Sequence, residues 1–307
     1  SLHAATLAPR GHRRSSPGPI ESGALSVSTS RDPRVTVRPG PDGVLARVGR
    51  FAIERYGFWM GALRTLAGAL SLSPGKAAAH VVHEVSLRQV FFTGVQGLPA
   101  VTTTALVLGA TIILQTRVVA PGVTGELLGK VLTAVVLREL APLVTAIIVA
   151  SRSGTAIATE LGNMRAGLEV QGLASLGIDP GHYVVQPRLI ATVVSVLVLT
   201  IYFNVLAVTG SSITAAVLGG PDPAAIRYGV TTTLGWADLL LYFVKGGGNG
   251  VIVGWLCCHF GLQVSSSTTE VPLMSGRAVI RSILGCVLYS FAVTLGYYAA
   301  VTEVQLF

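Results

Sequence analysis

Residues 98–115, LPAVTTTALVLGATIILQ, run for 18 positions without a charge. That length approaches the roughly 20 apolar residues a helix needs to cross a hydrocarbon core about 30 Å thick. Further apolar stretches follow at about 131–159, 189–208, 247–262 and 278–301. A soluble chain would have to cover all five with polar surface, yet charged residues make up 12% of this one, against roughly 25% in soluble globules. The sequence therefore predicts an all-α polytopic membrane protein with N-terminal interfacial helices and about five transmembrane helices.

Three regions differ in character. Residues 1–43 are rich in Pro, Ser and Arg, lack the apolar core of a signal peptide and are expected to form a disordered basic cytoplasmic arm. Residues 44–96 are expected to hold interfacial or elbow helices. Leu45, Val48, Ala52, Tyr56, Trp59 and Leu63 recur at steps of three and four, while Arg47, Arg50, Glu54 and Arg64 fall largely on another face. After Ser73-Pro74-Gly75 a second helix is expected from Lys76 towards Phe91 and Phe92. The first span is expected to begin only after Gly97-Leu98-Pro99. Residues 97–307 form the transmembrane part, interrupted by a polar segment at 160–186 and by LGGPDPAAIR at 218–227, whose Gly and Pro content reads as a loop. Around the glycine run 246–250 two readings stay open. Either it breaks a re-entrant piece from a span, or one helix passes through with Gly246, Gly250, Gly254 and Cys258 as a small-residue stripe; the second is preferred.

The net charge of +8 does not point to nucleic acid, because of where it sits. Residues 1–90 hold 12 of the 22 Lys and Arg, ahead of the apolar runs. With the N-terminus in the cytoplasm, 17 Lys and Arg fall inside and three, Arg117, Lys130 and Arg227, outside. That bias predicts a multi-pass membrane protein with a cytoplasmic N-terminus and an external C-terminus.

Catalytic signatures are missing. TGELLGKV, 124–131, lacks the first glycine and the Ser or Thr of a phosphate-binding loop, and GGGNG at 246–250 does not complete GxGxxG. HExxH and GxSxG do not occur, and Cys257, Cys258 and Cys286 lack the spacing of a metal site. The sequence predicts a non-catalytic chain with no bound cofactor or metal.

Two groups of residues stand out. Arg138 and Glu139 fall in the first third of the second span. A bare arginine at the bilayer centre costs at least about 2.5 kcal/mol, so both need partners, a wet cavity or a place near the interface. Ala150, Gly154, Ala158 and Gly162 recur every fourth residue and mark a close-packing face for a helix interface. From these features alone the chain reads as a transporter or channel subunit, with a membrane scaffold as the alternative.

RELAPLVTAIIVASRSGTAIATELGNMR, 138–165, followed by LGIDPGHYVVQPR, 176–188, closely resembles the MlaE/YrbE family of ABC-transporter permeases. EVSLRQVFFTGVQGLPAVTTTALVLGATIILQ, 84–115, fits the same family, as does the pattern at Glu270, Gly276, Arg277 and Ala278, more loosely. The resemblance covers about residues 44–302. It implies the permease subunit of a lipid transporter, acting on phospholipids, fatty acids or sterols. Its implied partners are a second permease, a cytoplasmic ATPase dimer that carries ATP and Mg, and an external assembly of MCE proteins. It also implies a coupling and ATPase-docking role for Glu160, Leu161, Gly162, Met164, Arg165, Leu168 and Glu169. Where the family usually continues Glu-Gln-Ile-Asp-Ala-Leu, this chain has Leu168, Glu169, Val170, Gln171, Gly172 and Leu173. Two acidic positions are lost and one is shifted, which suits one member of a heterodimer better than a homodimer. The arginine- and alanine-rich arm leans towards an actinobacterial paralogue.

Overall fold

The computed structural model describes residues 76–305, apart from 121 and 266. The basic arm and the 44–75 part of the interfacial region lie outside the described residues. Those described are all-α. Five helical segments are long and apolar enough to cross a membrane: Ser86–Val119, Gly125–Ala166, Tyr183–Val217, Trp236–Leu262 and Thr268–Ala299. The chain is a multi-pass membrane protein.

Helix α1, Lys76–Val119, carries the first span and is continuous through Pro99, where the sequence suggested a new start. Proline removes only one backbone donor from the ladder. Side chains add bonds beside it, because the Thr102 hydroxyl donates to the Leu98 carbonyl oxygen at 2.7 Å and that of Thr103 to Pro99 at 3.0 Å. Thr104, Thr111 and Thr116 also donate to carbonyl oxygens four residues back, so these hydroxyls enter lipid already bonded.

The second span joins α2, Gly125–Leu132, α3, Ala141–Val149, and α4, Thr155–Ala166, through wider π-helical turns at Thr133–Leu140 and Ala150–Gly154. Pro142 has no N–H for the Arg138 carbonyl four residues back, and the wide turn precedes it. A short α5, Glu169–Ser175, and a π turn at Gly181–Val185 lead into α6, Gln186–Val217, the third span. The expected loop at 218–227 is a loop only as far as Asp222. There the Asp222 carboxylate accepts from the Ala224 N–H at 2.9 Å and starts α7, Pro223–Thr233, with Pro223 pre-set for the first turn. Helix α8, Trp236–Leu262, passes unbroken through the glycine run, and α9, Val271–Gln305, carries the fifth span.

Small residues set the packing. The first span lies along the third, and the fourth sits among the second, third and fifth. A Cβ on Gly109 would strike the Ala207 carbonyl oxygen, and one on Gly210 would come within 3.0 Å of the Leu106 Cα. Cβ atoms on Gly250 and Gly254 would lie 2.7 Å from the Val193 Cα and 3.1 Å from the Leu189 Cδ1, so the preferred stripe meets the third span. By contrast, the first and fifth spans leave long apolar faces uncovered, including Val107, Leu114, Ile280, Leu284, Leu288 and Phe291.

Arg88, Arg165, Arg188 and Arg277 gather at the chain ends of these spans that the charge bias places inside. In a variant with Cys257, Cys258 and Cys286 replaced, a cysteine at Gly172 is expected to react with an impermeant maleimide only after the membrane is opened. One at Val118, which is highly exposed, is expected to react from outside. Equal external labelling at both positions would overturn the orientation.

Candidate functional site

Arg138 and Glu139 both find partners on α8, about 100 residues away in sequence. The Arg138 Nη2 donates to the Asp238 Oδ2 at 3.0 Å, and its Nε lies 2.6 Å from Oδ1 in the same ion pair without the alignment of a second hydrogen bond. Asp238 also accepts from the Gly235 N–H at 2.9 Å, which fixes it at the start of α8. Two turns further in, Lys245 is completely buried. Its ammonium donates to the Glu139 Oε1 at 2.7 Å and to the Arg138 carbonyl oxygen at 3.3 Å, the carbonyl that Pro142 cannot serve. The Glu139 Oε2 accepts from the Thr294 hydroxyl on the fifth span at 2.9 Å.

Asn249, one turn beyond Lys245, extends this polar column. Its amide donates to the Pro142 carbonyl oxygen at 3.3 Å and to the Ser290 Oγ at 3.1 Å. Positions 238, 245 and 249 share one face of α8 by helical periodicity. They meet 138, 139 and 142 on the second span and 290 and 294 on the fifth. Lys245 lies nine residues into α8, about 14 Å along its axis, so a charge there is tolerable only with its partners in place. Beside the first pair, an apolar hollow of about 410 Å³ is lined by Leu137, Arg138, Ile201, Asn204, Asp238 and Tyr242 among others.

The small-residue stripe packs inside the chain. Ala150 and Ala158 are buried, a Cβ on Gly154 would lie 2.8 Å from the Cys257 Sγ, and one on Gly162 would meet Val264 and Val271 at 3.1 Å. The stripe thus seats the second span against the fourth and the start of the fifth.

The candidate coupling residues divide between core and surface. Leu161 is fully buried and Gly162 is buried too, while Met164 packs half-buried against the core. Leu168 and Glu169 are exposed, with Arg165 between the extremes. Leu168 has φ 61°, a left-handed conformation that an L side chain rarely adopts, and it turns the chain between α4 and α5. Leu168, Leu176 and Ile178 form the exposed apolar residues of this segment. Glu160 faces the other way: its Oε1 accepts from the buried Arg188 Nη2 at 2.7 Å, while the Arg188 Nη1 donates to the Val184 carbonyl oxygen at 2.7 Å. The end of the second span is thereby tied to the start of the third.

Sequence reasoning saw the need of Arg138 and Glu139 for partners but not which residues supply them. Asp238 and Lys245 flanking a short apolar stretch were the available signal. Asn249 and Arg188 gave none, since their roles depend on helices brought together by the fold.

Among the described residues, no group of three or more His, Cys, Asp and Glu is placed to hold a metal ion. The chain resembles known proteins over most of this structure. Across 251 residues it is 29% identical to the intermembrane phospholipid transport system permease protein MlaE of Haemophilus influenzae, covering 81% of this chain and 93% of that protein. It is 26% identical to a probable ABC transporter permease protein of Rickettsia conorii, covering 74% and 90% of the two chains. A further relative is the chloroplastic protein trigalactosyldiacylglycerol 1 of Arabidopsis thaliana, 28% identical over 56% of this chain and 49% of that one. The family model for permease MlaE matches residues 86–295, from the start of the first span almost to the end of the fifth. The chain belongs to the MlaE family of permeases.

Proposed function

We propose that this permease is the membrane subunit of an ATP-driven lipid transporter, paired with a second permease and driven by a cytoplasmic ATPase dimer. A heterodimer suits the altered sequence at 168–173 better than a homodimer. ATP and Mg belong to the ATPase, and an external MCE assembly takes or delivers lipid on the far side. The Haemophilus relative is named for phospholipid transport, which supports the lipid substrate class. The observation that carries the coupling role is the exposed apolar set Leu168, Leu176 and Ile178, held at the arginine-rich end between two spans. The Glu160–Arg188 bridge joins those spans, so a push on this segment reaches both.

Truncating a well-packed interface anchor can cost 2 kcal/mol or more, about thirtyfold in affinity, whereas an exposed ion pair contributes about 0.2–1 kcal/mol. Leu168→Ala combined with Leu176→Ala is therefore expected to strip the ATPase from the purified complex far more than Glu169→Gln does. ATPase retention and permease dimer content are measured on the same detergent samples. Full ATPase occupancy in the double variant, with the dimer intact, would remove the docking assignment.

A further inference from the structure

A second cleft, about 470 Å³, opens between the first, second and third spans at their arginine-rich end. Its polar lining includes Arg88, Gln89, Thr93, Ser153, Glu160 and Arg188, and Phe92 and Ile157 form apolar wall beside them. Arg88 is exposed and carries its charge at the mouth. Arg188 is 7% exposed and incompletely bonded: Glu160 and the Val184 carbonyl take its two terminal nitrogens, but its buried Nε has no acceptor. Such an orphaned donor in a buried guanidinium is costly unless another acceptor arrives. Glu160 is the more exposed partner, with 51% of its side chain open to solvent against 8% for that of Arg188.

We propose that this cleft binds the phosphodiester headgroup of a membrane phospholipid from the leaflet at the arginine-rich end, in competition with Glu160 for Arg188. Guanidinium groups suit phosphate because several N–H donors converge on its oxygens. Arg88 and Arg188 come from different spans, so one anion bridges them while Gln89, Thr93 and Ser153 supply neutral hydrogen-bonding groups. The place also fits a lipid better than a soluble phosphate. The cleft lies at the arginine-rich end of the spans, and Phe92, exposed on the first span beside it, offers apolar surface to the upper acyl chain. Basic pockets between membrane helices are a general way of holding anionic headgroups. Headgroup binding would free Glu160, the first residue of the coupling segment, from the third span.

The inference draws on the permease reading only for this last link, and its test is separate. The delipidated full complex is titrated by calorimetry with dioctanoyl phosphatidylglycerol, dioctanoylglycerol and glycerol 3-phosphate. Saturable binding is expected for the phospholipid alone. Arg88→Gln, a change at an exposed site, should weaken it about fivefold, whereas Arg165→Gln should not. Glu160→Gln removes the competing carboxylate without changing its shape and should tighten binding about threefold. Unchanged affinity in Arg88→Gln, weaker binding in Glu160→Gln, or equal binding of dioctanoylglycerol would overturn the proposal. Equal binding of glycerol 3-phosphate would place a soluble phosphate ester in the cleft and overturn the lipid assignment. ATPase retention, read on the same samples, tests the permease reading independently.

Discussion

Lys245→Met is expected to destabilise the purified permease by about 3 kcal/mol, the lower end of the cost of breaking a buried ion pair. The lysine is fully buried and has two acceptors, the Glu139 carboxylate and the Arg138 carbonyl. Removing it leaves a partly buried carboxylate with only the Thr294 hydroxyl as protein donor. The loss falls short of the full range because Glu139 is 34% exposed and water reaches part of it. Adding Glu139→Gln should restore most of the stability, since the pair is then neutral and the glutamine amide still meets Thr294. Thermal unfolding of the four proteins of this cycle, in the same detergent, gives the coupling between the two sites. A single Lys245→Met variant as stable as the parent, or a double variant with no recovery, would show that the pair is not held as described.

Gly109→Ala is expected to disturb the fold as much, although it adds one methyl group. The new Cβ would meet the Ala207 carbonyl oxygen, a backbone atom that cannot rotate away as a side chain can. The first and third spans would have to part, and overpacking of this kind costs about 1–3 kcal/mol, here at the upper end. Gly94→Ala is the control, because nothing lies within 4 Å of a Cβ at that position in the same helix. Yield of folded permease by size-exclusion chromatography should fall for the first variant and hold for the second. Equal yields would mean that the two spans do not cross at Gly109.

How much of this was legible depends on the range over which each feature acts. The five spans follow from local hydropathy, and the stripe 150–162 from a period of four; both lie within one helix. Span lengths were underestimated because apolar runs stop at charges while helices do not. The second apolar run covers about 131–159, yet the helical segment is Gly125–Ala166, with Glu126, Lys130 and Arg165 continuing its backbone pattern. Pro99 points to a helix start in the same way, since proline marks one more reliably in water than in a bundle whose neighbours support the helix. The helix at Pro223 was written in its own cap, Asp222-Pro223, but a dense Gly and Pro context hid it. The ion pairs were beyond reach. Nothing local joins residue 139 to 245 or 160 to 188, and the partners are chosen by how four helices rotate about their axes. For the segment after residue 160 the motif was visible, whereas the division between buried Leu161 and exposed Leu168 required the packing of α4.

The second span has one more property that follows from its length. Its 42 residues make a rod about 63 Å long, roughly twice the hydrocarbon thickness. A rod that long is a lever, and pivoted at one end it magnifies a small rotation at the other. A swing of only about 5° about one end carries the other through about 5 Å, a full helical pitch. The π turns at Thr133–Leu140 and Ala150–Gly154 divide the rod into three arms, and the glycine at 154 lets the second joint lie close against the fourth span. Leverage of this kind turns a small tilt at one end of the span into a full-pitch displacement at the other.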